Sequence, residues 1–343
     1  MARRASELRA VRGHGPAAGL PERHRGALRV AVLRGGSSSE REVSLESGRC
    51  VAEALGEAGH EVIPLDPAET DLSSFAWSEV GACFIALHGK FGEDGQVQEL
   101  LEGLGVAYTG SGPEACRIAM SKSASKERFL LHGIPTLPYF LIHESESREE
   151  AARRAAAFGY PIVVKPDAQG SSLGVSRVSG PGELPAALAE CFRWEPFGLV
   201  ERCILGRELT VAVLDREPLP VLEIRPARPF YDYQAKYHDE ATAYTFELGL
   251  PEGVVREVQI AAVRACEVLG TRGLCRVDFM LEQDRRPWVL EVNTIPGMTT
   301  HSLAPMAAAR VGISRATLCD RLVREALGRG EKAKRAGARV VAT

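Results

Sequence analysis

The sequence lacks the features that define several common classes of protein. No apolar run approaches the length of about 18 residues that a membrane-spanning helix needs, and the Arg-rich start has no apolar core like that of a secretory signal. The eight cysteines include no C-x-x-C pair and no His/Cys cluster at zinc spacing, which predicts reduced thiols in a cytoplasmic protein. The net charge of −3 provides no overall basic field for nucleic acid, so any anion-binding site must be local.

Two common nucleotide-binding fingerprints are also missing. No G-x-x-x-x-G-K-[ST] loop is present, which excludes a Walker A site. The segment "LRGGSSSERE" (residues 33–42) follows an apolar strand, but it lacks G-x-G-x-x-G and a clear partner acid. We therefore do not expect a nicotinamide dehydrogenase.

The composition is that of a soluble globular protein, because 45% of the 343 residues are hydrophobic and 25% are charged. This length allows two or three domains. The Arg-rich start is compatible with a disordered arm, an organellar transit peptide or a translation start placed too far upstream. We predict a disordered arm at residues 1–27, an α/β domain at 28–112, a central domain at 113–204, a C-terminal domain at 205–327 and a basic tail at 328–343.

The first predicted domain alternates apolar strands with helical patterns, which indicates a parallel sheet. Ligands of such sheets bind beyond the carboxyl ends of the strands, where "LRGGSSSERE" and "ALHGKFGEDG" (residues 86–95) occur. His88 in the second segment is a candidate nucleophile or base, although a hydrogen-bonding role at a strand end is commoner. After this domain, residues 112–133 form one long helical pattern that contains Lys122.

The segment "KPDAQGSSLGVS" (residues 165–176) has the composition of a flexible linker, but short apolar runs lie on both sides of it. Two such runs around a turn-rich connection predict a β-hairpin. A Gly/Ser loop next to Lys165 offers backbone N–H groups, hydroxyls and an ammonium to phosphates. A plain glycine-rich surface hairpin is the alternative.

A second predicted hairpin carries acidic and amide side chains. Its strands are "CRVDFML" (residues 275–281) and "WVLEVN" (residues 288–293), and a turn centred between residues 284 and 285 pairs Asp278 with Glu291 and Arg276 with Asn293. Alternation then places Arg276, Asp278 and Met280 on one face, with Val289, Glu291 and Asn293 on the matching face. Facing carboxylates favour a cation between them, and oxygen ligands suit Mg²⁺. A solvated face with ordinary surface charges is the alternative.

Residues 229–244, "PFYDYQAKYHDEATAY", are aromatic and charged without a clean period. A loop of this length inside a compact domain is usually functional or disordered. We predict a lid over the site.

Seven segments, in this order, resemble the D-alanine:D-alanine ligase family of the ATP-grasp superfamily. They are "GGSSSEREVSLESG", "ALHGKFGEDG", "YTGSG", "KPDAQGSSLGVS", "FYDYQAKY", "CRVDFML" and "EVNTIPGMTTHS". The resemblance covers roughly residues 28–327. It implies an ATP-grasp fold of mixed α/β and α+β class, with an N-terminal open parallel sheet, a small central domain and a C-terminal antiparallel-sheet domain.

The resemblance implies ATP held between the second and third domains, with two Mg²⁺ ions, for which Mn²⁺ can substitute. The implied nucleotide-binding residues are Lys122, Lys165, Glu201, Arg202, Glu208, Lys236 and Met280. The implied metal ligands are Asp278, Glu291 and Asn293, as the hairpin pattern also predicts.

The resemblance also implies two D-alanine sites. Glu42 would meet the ammonium of the first D-alanine and join a network with Ser171 and Tyr237, while Lys236 on the closing lid reaches the γ-phosphate. The remaining implied substrate residues are Ser302 for the carboxylate of the second D-alanine, His88 and Glu93 in support of Ser302, and Arg276 with the backbone N–H of Gly297 as the oxyanion hole.

The implied reaction joins two D-alanines through an acyl phosphate and serves peptidoglycan precursor synthesis. The implied protein is a cytoplasmic homodimer that binds neither nucleic acid nor membrane. A ligase that takes D-lactate or D-serine second is the nearest alternative. In this family, ligases favouring D-lactate carry Phe at the Tyr237 position or a different loop, so Tyr237 supports D-alanine. A non-catalytic ATP-binding module would have lost a metal carboxylate, the oxyanion arginine or the lid lysine, and all of these are present.

Overall fold

The computed structural model describes residues 26–226 and 242–341, with side chains described as far as residue 330. Nearly all of the predicted N-terminal arm therefore lies outside the described residues, as does most of the predicted lid. Within the described residues, no helix combines the length and the apolar character needed to cross a membrane.

The N-terminal sheet has three parallel strands, as the alternating pattern predicts. They are β1 (Arg29–Leu33), β2 (Glu61–Leu65) and β3 (Ala82–Ile85), in the order β2-β1-β3. Helix α1 (Arg41–Glu57) connects the first two strands, and α2 (Gln96–Gly103) follows the third. The four apolar residues that end β1 are fully buried, as expected for the central strand of the sheet.

The single long helix predicted for residues 112–133 is wrong. The segment forms two helices, α3 (Pro113–Met120) and α4 (Lys122–Leu131), which are separated at Ser121. Ser121 has extended backbone angles, and its hydroxyl accepts a hydrogen bond from the backbone N–H of Ala124. Serine is a favoured residue at this N-cap position. The break makes Lys122 the first residue of a helix instead of a residue in the middle of one.

The central sheet is antiparallel, in the order β4-β7-β5-β6. Strands β5 and β6 flank the Gly/Ser segment and pair antiparallel, which confirms the predicted hairpin and excludes a linker. The elements are β4 (Tyr139–His143), α5 (Arg148–Phe158), β5 (Ile162–Pro166), β6 (Ser176–Val178), α6 (Leu184–Phe192) and β7 (Phe197–Arg202).

The third sheet is antiparallel in the order β11-β10-β8-β12-β13, with β9 paired to β8. Its strands are β8 (Gly206–Leu214), β9 (Glu217–Pro218), β10 (Leu222–Arg225), β11 (Ala243–Thr245), β12 (Leu274–Glu282) and β13 (Arg286–Asn293). The helices of this region are α7 (Glu252–Leu269), α8 (Leu303–Arg310) and α9 (Arg315–Val341). Helix α9 continues through the segment predicted as a basic tail.

The three sheets agree with the predicted mixed fold class, whereas the domain boundaries stay predictions. One apolar core joins the first and third sheets, because Val32 of β1, Leu214 of β8 and Leu322 of α9 belong to the same buried cluster. A separate cluster fills the space between α5, α6 and the central sheet. The central sheet therefore has its own core, and the cleft described below lies beside it.

Candidate active site

The acidic hairpin is formed by β12 and β13. Asp278 lies opposite Glu291 and Arg276 lies opposite Asn293, so both predicted pairings are confirmed. The predicted turn is wrong by half a residue, because Glu282 pairs with Arg286 around a three-residue turn. A β-bulge between Asp278 and Phe279 then restores the predicted register at the charged end.

The bulge changes which side chains share a face. Val289 pairs with Phe279 and is fully buried in the core below the sheet, so its predicted place beside Glu291 is wrong. Leu290 is the extra residue of the bulge, and it lines the cleft with Asp278 and Glu291. Bulges near active sites commonly redirect a side chain in this way.

Two cationic side chains and a hydroxyl surround the two hairpin carboxylates. Arg276 donates to Asp278 through Nε and Nη2, at 2.9 and 2.8 Å, and the Thr210 hydroxyl donates to the same carboxylate at 2.7 Å. The Lys122 Nζ atom lies 3.8 Å from Glu291 Oε2. Asp278 is 6% exposed, so its charge depends on these partners.

The donor set fits a hard divalent cation. Asp278, Glu291 and Asn293 supply only oxygen donors, and all three line the same cleft. Asn293 Oδ1 accepts a hydrogen bond from the backbone N–H of Ile295 at 2.9 Å, which orients the amide oxygen. Mg²⁺ typically takes one or two carboxylates and completes its shell with water and phosphate oxygens.

The Gly/Ser loop between β5 and β6 is attached at its base to the start of α4. Asp167 Oδ1 accepts from the backbone N–H of Ser123 at 2.7 Å, and Asp167 Oδ2 accepts from the Ser121 hydroxyl at 2.6 Å. The backbone N–H of Ala168 donates to Glu195 at 2.6 Å. These contacts hold the base of the loop beside the first turn of α4.

Lys122 belongs to the same junction. Its Nζ donates to the carbonyl oxygen of Gln169 at 2.6 Å, and its backbone N–H donates to the carbonyl oxygen of Asp167 at 3.0 Å. Burial lowers the pKa of Lys122, and the charge of Glu291 partly offsets this effect. The ammonium is thus held between the loop and the acidic hairpin.

Ser171 at the tip of the loop bonds to Glu40, whereas the resemblance implied a network of Ser171 with Glu42 and Tyr237. The Ser171 hydroxyl donates to Glu40 Oε1. Glu40 is 7% exposed and immediately precedes α1, whereas Glu42 lies in the first turn of the helix and is exposed. Helical geometry turns residues two apart to different sides of the axis, so the loop meets only one of the two glutamates.

Two glycines make room for the Glu40 carboxylate. A Cβ atom on Gly89 would lie 2.8 Å from Glu40 Oε2, and one on Gly170 would lie 3.0 Å from it. Gly89 also has a φ of +70°, which L side chains rarely adopt. The carboxylate is therefore enclosed between the loop after β3 and the Gly/Ser loop.

His88 and Glu93 form a buried pair. The Nδ1 atom of His88 lies 3.3 Å from Glu93 Oε1, and its Nε2 atom lies 3.0 Å from the Ser47 hydroxyl. Burial would lower the pKa of His88, but the hydrogen bond and charge of Glu93 raise it overall. Burial raises the pKa of Glu93 despite the opposing effect of His88, and the charge of Glu40 adds to the rise.

Ser302 contacts Thr299, and its predicted support from His88 and Glu93 stays a prediction. The Ser302 Oγ accepts from the backbone N–H of Thr299 at 3.0 Å and lies 2.9 Å from the Thr299 hydroxyl. A Cβ atom on Gly297 would lie 2.7 Å from Ser302 Oγ, so the backbone and the hydroxyl are in close approach.

The predicted adenine side lies on β7, β8 and β12. Glu201 of β7 is 2% exposed and lies 2.5 Å from the Lys165 ammonium. Glu208 and Met280 are register partners on neighbouring strands. Met280 packs against an apolar group that includes Trp288. Arg202 lies at the end of β7 and is exposed.

These groups line two cavities that share five residues, namely Lys122, Gln169, Ile224, Asp278 and Glu291. The larger, of about 930 Å³, is lined by Lys122 and by the predicted catalytic, substrate and metal residues Glu42, His88, Glu93, Ser171, Arg276, Asp278, Glu291, Asn293, Gly297 and Ser302. The smaller, of about 350 Å³, holds the predicted nucleotide residues Lys122, Lys165, Glu201, Arg202, Glu208 and Met280. The lid residues Lys236 and Tyr237 lie outside the described residues.

The sequence interpretation missed several groups at the site, chiefly Glu40, Lys126 and Asp167. Glu40 lies in the segment after the carboxyl end of the first predicted strand, where ligands of parallel sheets bind, so this signal was available. Lys126 reaches Glu201, and Asp167 reaches Ser121, only through contacts distant in sequence. Local pattern contains no signal for such contacts.

Comparison with known proteins decides the family. A sequence model described as D-ala D-ala ligase C-terminus matches residues 130–324, and one described as D-ala D-ala ligase N-terminus matches residues 66–111. The chain belongs to the D-alanine–D-alanine ligase family. It is 44% identical over 302 residues to the D-alanine–D-alanine ligase of Bordetella petrii, covering 87% of this chain and 92% of that protein.

Other members of the family agree. The D-alanine–D-alanine ligase of Syntrophotalea carbinolica is 45% identical over 295 residues, covering 86% of this chain and 95% of that protein. The crystal structure of the Bacillus anthracis D-alanine–D-alanine ligase complexed with ATP has a TM-score of 0.78 and 32% identity, covering 90% of this chain and 100% of that one. The family resemblance expected from the motifs is therefore confirmed.

Proposed function

We propose that this chain joins two D-alanines at the expense of ATP, for peptidoglycan precursor synthesis. The observation that carries the proposal is the hairpin, in which Asp278 and Glu291 face each other beside Arg276 and Lys122. Such an arrangement suits phosphoryl transfer followed by acyl transfer, because both steps develop negative charge near these groups.

The residues Asp278, Glu291 and Asn293 would hold two Mg²⁺ ions, for which Mn²⁺ can substitute. When bound, the ions would neutralise phosphate charge and draw together the oxygen atoms of nucleotide and substrate. The all-oxygen donor set supports this assignment. Lys122 and Lys165 add fixed positive charge from the other side of the cleft.

The nucleotide would occupy the smaller cavity, with its phosphates toward the Gly/Ser loop. Met280 would pack on the adenine ring, Glu208 would accept from the ribose, and Glu201 with Arg202 would border the ring edge. Lys236 would reach the γ-phosphate from the lid. These roles follow from family membership and from the lining of the cavity.

The two D-alanines would occupy the larger cavity. We assign the ammonium of the first to Glu40 instead of Glu42, because Glu40 is the buried carboxylate that contacts Ser171. Tyr237 of the lid would complete that network. Ser302 would bind the carboxylate of the second D-alanine, and His88 with Glu93 would supply a charged wall behind it.

The reaction would begin when a carboxylate oxygen of the first D-alanine attacks the γ-phosphorus and ADP leaves. The amine of the second D-alanine, after losing a proton, then attacks the acyl carbon. Arg276 and the backbone N–H of Gly297 would donate to the developing oxyanion, before the C–O bond breaks and inorganic phosphate leaves. One such donor contributes about 3 kcal/mol in enzymes of other kinds.

Tyr237 and Ser171 are the candidates for accepting the amine proton. A closed lid would exclude water from the acyl phosphate, since water would hydrolyse it. We also propose a cytoplasmic homodimer, as the family resemblance implies.

The test is phosphate release from ATP with D-alanine, L-alanine or D-alanine plus excess D-lactate, with products identified by mass. We expect phosphate release with D-alanine only and predominant D-alanyl-D-alanine in the mixture. Predominant depsipeptide would exclude the D-alanine assignment, and equal rates with L-alanine would exclude the substrate class.

Asp278→Asn tests the metal assignment in the same assay, and Asp284→Asn in the exposed turn of the same hairpin is its matched control. We expect Asp278→Asn to abolish turnover while circular dichroism stays unchanged, and Asp284→Asn to retain activity. Mg²⁺-dependent activity of normal size in Asp278→Asn would overturn the metal assignment.

A further inference from the structure

Three charged side chains form a cluster in the wall of the smaller cavity. Glu201 of β7 lies between Lys126 of α4 and Lys165 of β5, with one carboxylate oxygen toward each ammonium. Lys126 is fully buried, Glu201 is 2% exposed and Lys165 is 8% exposed. Lys165 and Glu201 line the cavity, whereas Lys126 lies behind them and does not line it.

The side chain of Lys126 is held from several directions. Its Nζ donates to the Thr136 hydroxyl at 2.8 Å and lies 3.4 Å from the carbonyl oxygen of Leu137. It also lies 5.6 Å from the centre of the Tyr139 ring. The Thr136 hydroxyl in turn donates to the carbonyl oxygen of Val289 in β13, at 2.8 Å. The position of this ammonium is therefore determined by both the central and the third sheet.

The charges explain why a second lysine is needed. If Glu201 were paired with Lys165 alone, its charge would neutralise that lysine. The ammonium of Lys165 would then direct its hydrogen bonds toward the cavity wall and away from a ligand. Burial lowers the pKa of Lys126, and the charge of Glu201 opposes this effect. With both lysines ionised, Glu201 shares its charge between two ammonium groups and the cluster carries a net charge of +1. Burial would raise the pKa of Glu201, but the charges of Lys126 and Lys165 lower it overall, which keeps the carboxylate ionised.

We propose that Lys126 is a positioning residue that shares Glu201 and thereby keeps the charge of Lys165 available to the phosphates of the nucleotide. This inference rests on the proposed ATP site. It assigns Lys126 no contact with the nucleotide. Its effect should therefore depend on the phosphates of the ligand and not on the adenine or the ribose.

The experiment compares the binding of ADP and of adenosine, by calorimetry in the presence of Mg²⁺, to the wild-type chain and to Lys126→Met. We expect the Kd for ADP to rise by about tenfold, as for loss of one charged interaction, and the Kd for adenosine to change by less than about twofold. An unchanged Kd for ADP, or equal losses for both ligands, would overturn the inference.

Two further variants separate this role from general stability. Arg154→Met removes the ion pair between Arg154 and Glu146 at the edge of the same domain, and should lower the unfolding temperature without changing the Kd for ADP. Lys126→Met/Glu201→Gln removes both charges of the buried pair, so it should fold even if Lys126→Met alone does not.

In the double variant, Lys165 has no carboxylate to neutralise it. Glu201 also borders the proposed adenine position, and loss of that contact would weaken ADP and adenosine equally, so the readout is the ratio of the Kd for ADP to the Kd for adenosine. We expect this ratio to return to within about threefold of the wild-type value. A ratio that stays raised by about tenfold or more in the double variant would overturn the charge-sharing role. If the wild-type chain itself fails to bind ADP, the proposed ATP site is wrong, and that outcome is distinct from failure of the Lys126 variants alone.

Discussion

The contact between Ser171 and Glu40 leads to a test that distinguishes two neighbouring glutamates. Glu40→Gln keeps the size of the side chain and removes its charge, and Glu42→Gln makes the same change two residues later. Glu40 is buried between Gly89 and Gly170 and accepts from the Ser171 hydroxyl, whereas Glu42 is exposed in the first turn of α1.

The magnitude follows from this difference in environment. A hydrogen bond to a charged group contributes about 1.5–3 kcal/mol, which corresponds to about a 10- to 150-fold change. We therefore expect Glu40→Gln to lower kcat/KM for D-alanine by that factor. Exposed substitutions usually cost less than about 0.5 kcal/mol, so Glu42→Gln should change it by less than about threefold.

The assay is continuous phosphate release at saturating ATP over a range of D-alanine concentrations. Thermal unfolding of both variants controls for loss of fold. The reasoning is refuted if Glu42→Gln shows the larger loss, or if Glu40→Gln stays within about threefold of wild type. Equal losses in the two variants would show that the ammonium is shared between them.

Three further predictions concern other parts of the site. Gly297→Ala should lower kcat at least tenfold, as steady-state kinetics measures. The new Cβ would lie 2.7 Å from Ser302 Oγ and would displace the backbone N–H of residue 297, which is the proposed oxyanion donor. Glu93→Gln should lower the titration midpoint of His88, measured by NMR with labelled histidine, because burial then acts without an opposing charge. Asp167→Ala should raise KM for ATP and lower the free energy of unfolding by about 1–2 kcal/mol, because the backbone N–H of Ser123 and the Ser121 hydroxyl lose their acceptor. Urea denaturation measures the change in stability.

The Glu93→Gln prediction also fixes the sign of a pH dependence. His88 and Glu93 both have raised pKa values in the wild-type protein. Between the unfolded and the folded pKa of each group, the folded state therefore binds more protons than the unfolded state. The contribution of His88 is fully present below its unfolded pKa of about 6.5 and is lost as the pH rises through the folded value. The stability difference between wild type and Glu93→Gln should therefore shrink from pH 6 to pH 8. A difference that grows with pH would contradict this reasoning.

Each of the other two predictions has a matched comparison. Gly253→Ala also changes a glycine, but no atom lies within 4 Å of the new Cβ and the backbone has no positive φ, so kcat should not change. Asp71→Ala removes a carboxylate that accepts from Ser73 in an exposed turn, so KM for ATP should not change. Similar losses in these controls would show that the effects are not specific to the site.

The acidic hairpin shows how far sequence pattern reaches. Alternation and the turn predicted the pairing of Asp278 with Glu291 correctly, although the turn is shorter than expected and a bulge compensates for it. The bulge follows from the packing of Val289 beside Phe279 in the core under the sheet. The core below the sheet includes helices that are distant in sequence, so the local sequence pattern does not predict the bulge.

By itself, the sequence determined the mixed fold class, the two functional hairpins and the facing carboxylates Asp278 and Glu291, because alternation, turn chemistry and motif order are local properties of the chain. Tertiary structure alone decided which of two glutamates contacts Ser171, where the helix before the central sheet breaks, and that Lys126 shares Glu201 with Lys165. These outcomes depend on contacts between elements that lie far apart in the chain, and those contacts exist only once the sheets and helices have packed.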